Sequence, residues 1–252
     1  MWRKLRIAIL LSILLFVALN TWFDRLYSTD WNHPLAVAII PVNGDGSATA
    51  EKYVQQLTAD SFLPIEAFFA EESAKHGVAL DRPIRMLLGS QVRELPPMIE
   101  PGAGRFGVMM WSLRTRWWTS RIDVPPGAKV KLFVLYHDPE KSPTLQHSLG
   151  MQKGLFGIVH VFADETMAGS NDTVIAHELL HTLGASDKYG PDNLPRLPDG
   201  YAEPNLEPLY PQSFAELMGG RIPVSESQAE IPESLSDVVI GPATAAEIGW
   251  AR

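Results

Sequence analysis

The chain of 252 residues contains no cysteine. Disulfide bonds and cysteine-ligated metals are therefore excluded, although this absence does not identify a redox compartment. The sequence also has no long basic run, and its formal net charge is −8, which argues against nucleic acid as a partner. Internal repeats and low-complexity tracts are missing. Because 46% of the residues are hydrophobic, the chain can build one domain with a sizeable core.

The most informative segment is the run that starts at His177 and ends at Asp187. It contains the pattern H-E-x-x-H, in which His177 and His181 share one face of a predicted helix and can reach one metal ion. Glu178 follows the first histidine and can act on an activated water without binding the metal. Gly184 can adopt a positive φ and end the helix. A turn there would bring Asp187 toward the same ion.

This pattern resembles the metzincin clan of zinc endopeptidases, whose longer signature is H-E-x-x-H-x-x-G-x-x-H/D. With Asp187 at the last position, the segment is similar to the snapalysin-type branch of that clan. The clan also has a methionine-containing turn beneath the zinc, and Ala215–Gly220 with Met218 is similar to that turn. The resemblance extends over Ile158–Gly220.

The resemblance implies a zinc-dependent endopeptidase that acts on protein or peptide substrates. In such an enzyme His177, His181 and Asp187 would hold Zn²⁺ and leave a fourth position open. Glu178 would be the catalytic general base. Met218 would be a structural residue that supports the ligands from beneath.

Other interpretations of the same residues stay open. The segment Asp187–Gly190 is also similar to the aspartate-ligated aspzincin proteases. A gluzincin-like site would instead take its third ligand from another acidic residue, namely Glu203, Glu207 or Glu216. A binding or scaffold protein with a structural or catalytically silent zinc site is the alternative outside enzymes, but a structural site has no use for Glu178. A phenol that stabilises the oxyanion could come from Tyr189, Tyr201 or Tyr210.

The N-terminal residues 1–23 are predicted to form a signal anchor or transmembrane segment. Basic residues (Arg3, Lys4 and Arg6) precede the apolar run Ile7–Leu19, and Trp31 suits a membrane interface. The membrane is therefore a predicted partner through this segment, with the N-terminus cytoplasmic and the catalytic domain extracytoplasmic. A cleaved signal peptide, which would make the protein secreted, and a buried helix are the alternatives.

Residues 24–33 are predicted as a linker and residues 34–252 as a zinc metalloprotease domain. The predicted fold class is α/β (α+β): a metzincin-like twisted, mostly parallel sheet with an active-site helix and a small irregular C-terminal subdomain. Strands are predicted at 35–42, 83–88, 130–136 and 157–163, and helices at 49–59, 63–75, 106–120, 173–183 and 242–250. The resemblance implies that strand 157–163 is an edge strand to which substrate adds as a further strand.

The predicted helix 106–120 permits two interpretations. Phe106, Met110, Leu113 and Trp117 recur at helical spacing. They either face the core, with the neighbouring arginines in solvent, or form an aromatic and basic surface that contacts a membrane or a partner.

Overall fold

A computed structural model describes residues 29–99 and 102–250, together with residues 2, 6, 7, 11, 12 and 15. Its centre is a five-stranded sheet formed by β1 (Leu35–Asn43), β2 (Ile84–Leu88), β3 (Val130–His137), β4 (Leu149–Met151) and β5 (Phe156–Phe162). The strand order is β2-β1-β3-β5-β4. All neighbours are parallel except β4, which is antiparallel to β5. The predicted mixed α/β fold with a mostly parallel sheet is confirmed.

Five helices accompany the sheet within the described ranges: α1 (Ala48–Gln56), α2 (Leu63–Lys75), α3 (Arg105–Arg121), α4 (Ala168–Leu183) and α5 (Pro242–Glu247). The C-terminal part contains short strands that pair outside the main sheet: β6 (Ala215–Glu216) with β9 (Val238–Val239), and β7 (Ile222–Ser225) with β8 (Gln228–Glu230). This part is irregular, as predicted.

The central strands are apolar on both faces because helices cover both sides of the sheet. One face, which includes Val37 and Leu132, packs in the larger core with residues of α1, α2 and α4. The opposite face, which includes Ile40 and Phe133, packs against Trp118 of α3. The helix that carries the H-E-x-x-H pattern and α3 therefore lie on opposite sides of the sheet.

The edge strand beside α4 differs from the prediction. Strand β5 is not an edge, because β3 and β4 pair with it on its two sides. The edge is β4, which is not among the predicted strands. Strand β4 lies so close to α4 that a Cβ at Gly150 would collide with the Glu178 carbonyl oxygen and with His181 Cβ. A glycine is therefore required where the edge strand crosses α4.

Helix α4 starts at Ala168, earlier than the predicted position 173. Asn171, in the first turn of α4, binds the end of β5. Its Nδ2 donates to the Phe162 carbonyl at 2.8 Å, and its Oδ1 accepts from the Phe162 amide at 3.1 Å. Because these partners lie on β5, no pattern within the sequence of α4 could predict them. The contact fixes the start of α4 against the sheet.

The structure contradicts the predicted single-pass membrane anchor and the membrane-anchored location that followed from it. Among the described residues, no helix is both long and apolar enough to cross a bilayer. Most of residues 1–23 lie outside the described residues. Trp31, which we expected at a membrane interface, donates from Nε1 to the Ile248 carbonyl at 2.8 Å. Its ring contacts Trp250 edge-on at 5.6 Å between centroids, so the predicted linker contributes a packed residue.

The orientation of α3 contradicts the interpretation in which its apolar residues at helical spacing face the core. The apolar residues at helical spacing are exposed: Phe106, Met110, Leu113 and Trp117. The buried positions are Thr115, Trp118 and Thr119, and the Trp118 ring lies 4.5 Å from that of Phe133. Helical periodicity identifies the two faces of a helix but does not tell which face packs on the sheet. Here the face that contains Thr115, Trp118 and Thr119 packs on the sheet.

Asp172 on α4 gives the fold a testable pH dependence. Burial raises the pKa of this carboxyl to about 7, so the folded chain binds its proton more tightly than the unfolded chain. The free energy of unfolding should therefore fall as pH rises from about 4 to about 7. We expect Asp172→Asn to be more stable than the parent by on the order of 1 kcal/mol above about pH 8, and equally stable below about pH 4.

Urea unfolding at several pH values measures this difference. The exposed Asp199 offers a control, since Asp199→Asn should not change the pH profile of stability. A stability gain in Asp172→Asn that is the same at every pH would show that the Asp172 carboxyl does not titrate as described.

Candidate metal centre

Helix α4 brings His177, Glu178 and His181 into one group. Their ligand atoms all lie within 4.8 Å of one another. The two imidazoles are one helical turn apart, with ring centroids at 4.7 Å and an interplanar angle of 84°. Such a group can hold a metal ion and is compatible with zinc.

Backbone carbonyls fix the tautomers of both histidines. His177 Nδ1 lies 2.9 Å from the Leu217 carbonyl oxygen, and His181 Nδ1 lies 2.9 Å from the Ala185 carbonyl oxygen. A carbonyl only accepts, so each Nδ1 carries the proton and donates. In the neutral ring each Nε2 then keeps its lone pair for a metal. Metal-binding histidines are commonly oriented by such an additional hydrogen bond.

The chain turns after α4 and brings Asp187 to the same place. Gly184 has φ of 106° and ends the helix, as the sequence predicted. Asp187 Oδ1 lies 3.2 Å from His177 Nε2 and 3.1 Å from His181 Nε2. Burial acts to raise the pKa of Asp187, but the histidines beside its carboxylate hold the pKa well below its usual range. Asp187 therefore lies in contact with both histidines.

Glu178 is buried beside this triad. Burial raises the pKa of its carboxyl, while the neighbouring His177 and His181 oppose that rise. The Gly150 amide donates to the carboxylate, whereas Glu178 Oε2 has no hydrogen-bond partner within the part of the chain that the structure describes. A buried carboxylate oxygen without a partner is costly. Two imidazole nitrogens and one carboxylate oxygen, with this unpaired oxygen beside them, form a donor set that can hold a metal ion.

Met218 lies in the tight turn between β6 and β7. Its side chain is fully buried, and its carbonyl accepts from the Lys188 amide at 2.8 Å. The preceding Leu217 supplies the carbonyl that holds His177. Gly220 has φ of 72° and completes the turn. The sequence pattern indicated the turn but not that Leu217, rather than the methionine, contacts the histidine.

Glu247 of α5 accepts hydrogen bonds from both sequence neighbours of Asp187. The sequence did not indicate this role. Glu247 Oε2 accepts from the Ser186 amide at 3.0 Å and from Lys188 Nζ at 2.7 Å, while Oε1 accepts from Ser186 Oγ at 2.6 Å. The Lys188 side chain is only 5% exposed, so its charge depends on this partner. The segment that carries Asp187 is therefore held at two adjacent points.

The three tyrosines considered from the sequence have different positions. Tyr201 and Tyr210 pair with each other through their hydroxyl groups at 2.8 Å. Tyr189 lies at the site, with its ring centroid 6.3 Å from that of His177. Burial and the nearby Asp187 raise the pKa of Tyr189 to about 12. Its phenol therefore stays protonated and can donate a hydrogen bond.

The glutamates of the gluzincin-like interpretation do not join the histidines. Glu216 is fully buried and accepts from Gly219 N, Gly241 N and Thr244 Oγ1. Glu203 accepts from the Ser213 amide at 3.0 Å, and Glu207 is exposed. Among the described residues, none of the three belongs to the group of His177, Glu178 and His181, and none makes the ion-pair contacts to the histidines that Asp187 makes.

A largely apolar pocket of about 230 Å³ opens directly beside His177. Val174, Tyr189, Leu217 and Ile231 line it, with the turn glycines on one side. A pocket of this size accepts a side chain rather than a cofactor.

Comparisons with known proteins add no family to this geometry. No protein-family model matches the chain, and no curated protein matches it at a significant level. The finding that remains is the histidine, glutamate and histidine group on α4, which is compatible with a zinc site.

Proposed function

We propose that the protein is a zinc-dependent endopeptidase of metzincin type. The observation that carries this proposal is the convergence of Asp187 Oδ1 on the Nε2 atoms of His177 and His181, at 3.2 and 3.1 Å. The unpaired Oε2 of Glu178 beside them supports a hydrolytic rather than a structural role.

His177, His181 and Asp187 would hold the ion. Zinc supplies Lewis-acid chemistry when bound, which lowers the pKa of a coordinated water and polarises a carbonyl. Glu178 accepts the proton of the attacking water and passes it to the leaving amine. Its raised pKa brings its basicity closer to neutral pH. The Tyr189 phenol, which keeps its proton, donates to the carbonyl oxygen as negative charge develops there.

The shape of the cleft favours an extended peptide as substrate. Strand β4 pairs with β5 on one side, and no described strand pairs with its other edge. A peptide can add to that edge through backbone hydrogen bonds. One of its side chains would then enter the apolar pocket beside His177. We therefore expect cleavage next to an apolar residue.

The alternative, a binding or scaffold protein with a structural or silent zinc site, is less favoured. A structural site uses four protein ligands and closes the coordination sphere. Asp187 brings a carboxylate oxygen within 3.2 Å of both His177 and His181, and Glu178, the remaining member of the group, keeps one oxygen unpaired. Burying a carboxylate oxygen without a partner destabilises the fold, and a structural zinc site gives no reason to do so at Glu178.

Metal analysis coupled to peptide release tests the proposal. The full chain, purified without chelator, should contain zinc near one equivalent. It should release peptides from a mixed protein substrate, and mass spectrometry should identify the new termini. Chelator should abolish release and zinc should restore it. Stoichiometric zinc without any peptide release would support the silent site instead.

Glu247 offers a prediction about support of the third ligand. Glu247→Gln removes the charge that holds Lys188 and weakens the contacts to Ser186, so Asp187 should lose its fixed position. We expect zinc affinity to fall by about 10- to 100-fold, as for other supporting contacts. Competition with a chromogenic chelator measures it. Glu226→Gln, at an exposed glutamate, should leave the zinc affinity unchanged. Unchanged zinc affinity in both variants would show that Glu247 does not support the position of Asp187.

A further inference from the structure

Helix α3 displays an apolar surface on its outer side. The α3 apolar face consists of Phe106, Met109, Met110, Leu113 and Trp117, all of them exposed. Phe106 is 70% and Trp117 62% exposed. Positions separated by three, four and seven residues lie on one side of a helix, so these side chains form one continuous strip. Contiguous exposed apolar strips on soluble proteins commonly mark an interaction site.

The segment before α3 carries further exposed apolar side chains. Leu95, Met98 and Ile99 are also exposed. Trp111 Nε1 donates to the Pro97 carbonyl at 2.7 Å, which ties this segment to the helix. On the inner side, Trp118 packs on Phe133 and holds α3 on the sheet. The apolar face is therefore presented by a helix that is fixed to the domain.

The charge of α3 is opposite to that of the chain as a whole. The helix carries four arginines and no acidic residue, while the formal net charge of the chain is −8. Arg105, Arg114 and Arg121 are exposed. Arg114 and Arg121 are seven residues apart and so follow the same side of the strip. The Arg121 guanidinium lies over the Trp117 ring, 4.5 Å from its centroid.

We propose that the α3 apolar face docks in the plane of an anionic phospholipid surface. Exposed tryptophan, phenylalanine, methionine and leucine with arginines alongside suit a helix that lies in the interface between headgroups and acyl chains. Arginine binds phosphate oxygens through its planar fork. From Phe106 to Trp117 the helix rises only about 17 Å, so it rests on a bilayer and does not cross it.

A second copy of the chain is the less suitable occupant. Joining two such faces would bring the exposed arginines of both copies together without an acidic residue from either helix. Like charges at an interface oppose association. An anionic lipid surface satisfies the same arginines and accepts the apolar side chains.

A single fluorophore on the face tests this directly, and the absence of native cysteine makes the labelling specific. Leu113→Cys in the full chain, labelled with an environment-sensitive dye, should show increased and blue-shifted emission with vesicles of phosphatidylcholine containing one-third phosphatidylglycerol. Pure phosphatidylcholine vesicles should give little change. The matched control is Ser227→Cys, at an exposed position in the β7–β8 hairpin, whose label should not respond. Because each dye reports only its own surroundings, lipid contacts made elsewhere in the chain do not mimic the signal.

The charge requirement is tested in the same labelled protein. Arg114→Gln together with Arg121→Gln should raise the lipid concentration needed for half of the emission change by at least about tenfold, since each arginine near an anionic surface contributes about 1 kcal/mol. Three outcomes would overturn the proposal: no response of the Leu113→Cys label to anionic vesicles, an equal response to neutral vesicles, or a response that follows protein concentration without lipid. The last would identify a second copy as the occupant.

Discussion

Glu178→Gln should keep zinc near one equivalent and lose peptidase activity by a factor of about 10²–10⁴. The substitution preserves the shape of a side chain that is 6% exposed, so the three metal-binding side chains keep their surroundings. What it removes is the carboxylate that accepts the proton from the attacking water in the proposed reaction. The loss should appear in kcat rather than in KM, because binding of a peptide along β4 does not use Glu178.

Glu165→Gln is the matched control, since Glu165 is exposed in the short turn that leads into α4. That variant should retain full activity. Metal content, kcat and KM are measured on the same preparations. Turnover of Glu178→Gln at the parental rate would remove Glu178 from the mechanism, and loss of zinc together with activity would assign it to metal binding instead.

Asp187→Ala should lose zinc as well as activity. Asp187 is the residue whose carboxylate faces both imidazoles, and without it two histidines remain to hold the ion. We expect zinc affinity to fall by more than about 100-fold, beyond the usual effect of a supporting contact. Chelator competition gives the affinity and atomic absorption gives the stoichiometry.

Two further substitutions make this result specific. Asp187→His should recover more zinc binding than Asp187→Ala, because an imidazole is an equally suitable ligand. Asp192→Ala, at an exposed aspartate five residues further along the same loop, should bind zinc normally. Tight stoichiometric zinc in Asp187→Ala would mean that another side chain completes the site.

The parts of the structure that were predictable from sequence depend on short-range patterns. The parallel strands are continuous apolar runs, and α4 combines helical periodicity with a glycine that ends it. The pairing of His177 with His181 follows from helix geometry alone. The approach of Asp187 was predictable because only Gly184 and two further residues separate it from the helix end.

The remaining parts depend on contacts between distant segments. Strand β4 is three residues long and has no pattern of its own, so the edge of the sheet was assigned to β5 instead. The orientation of α3 is set by Trp118 on Phe133, although its apolar residues at helical spacing favoured the opposite face. Glu247 reaches Ser186 across 61 positions of sequence, which no local pattern reveals.

The hydrogen bond between His177 and the Leu217 carbonyl also sets an order of events during synthesis. Their separation is 40 residues, which a ribosome adds in about 2–8 s at ordinary elongation rates. For that interval α4 and both histidines have been made, but the carbonyl that selects the His177 tautomer has not. In the nascent chain the His177 ring is therefore fixed only after the C-terminal turn that contains Leu217 has folded against α4.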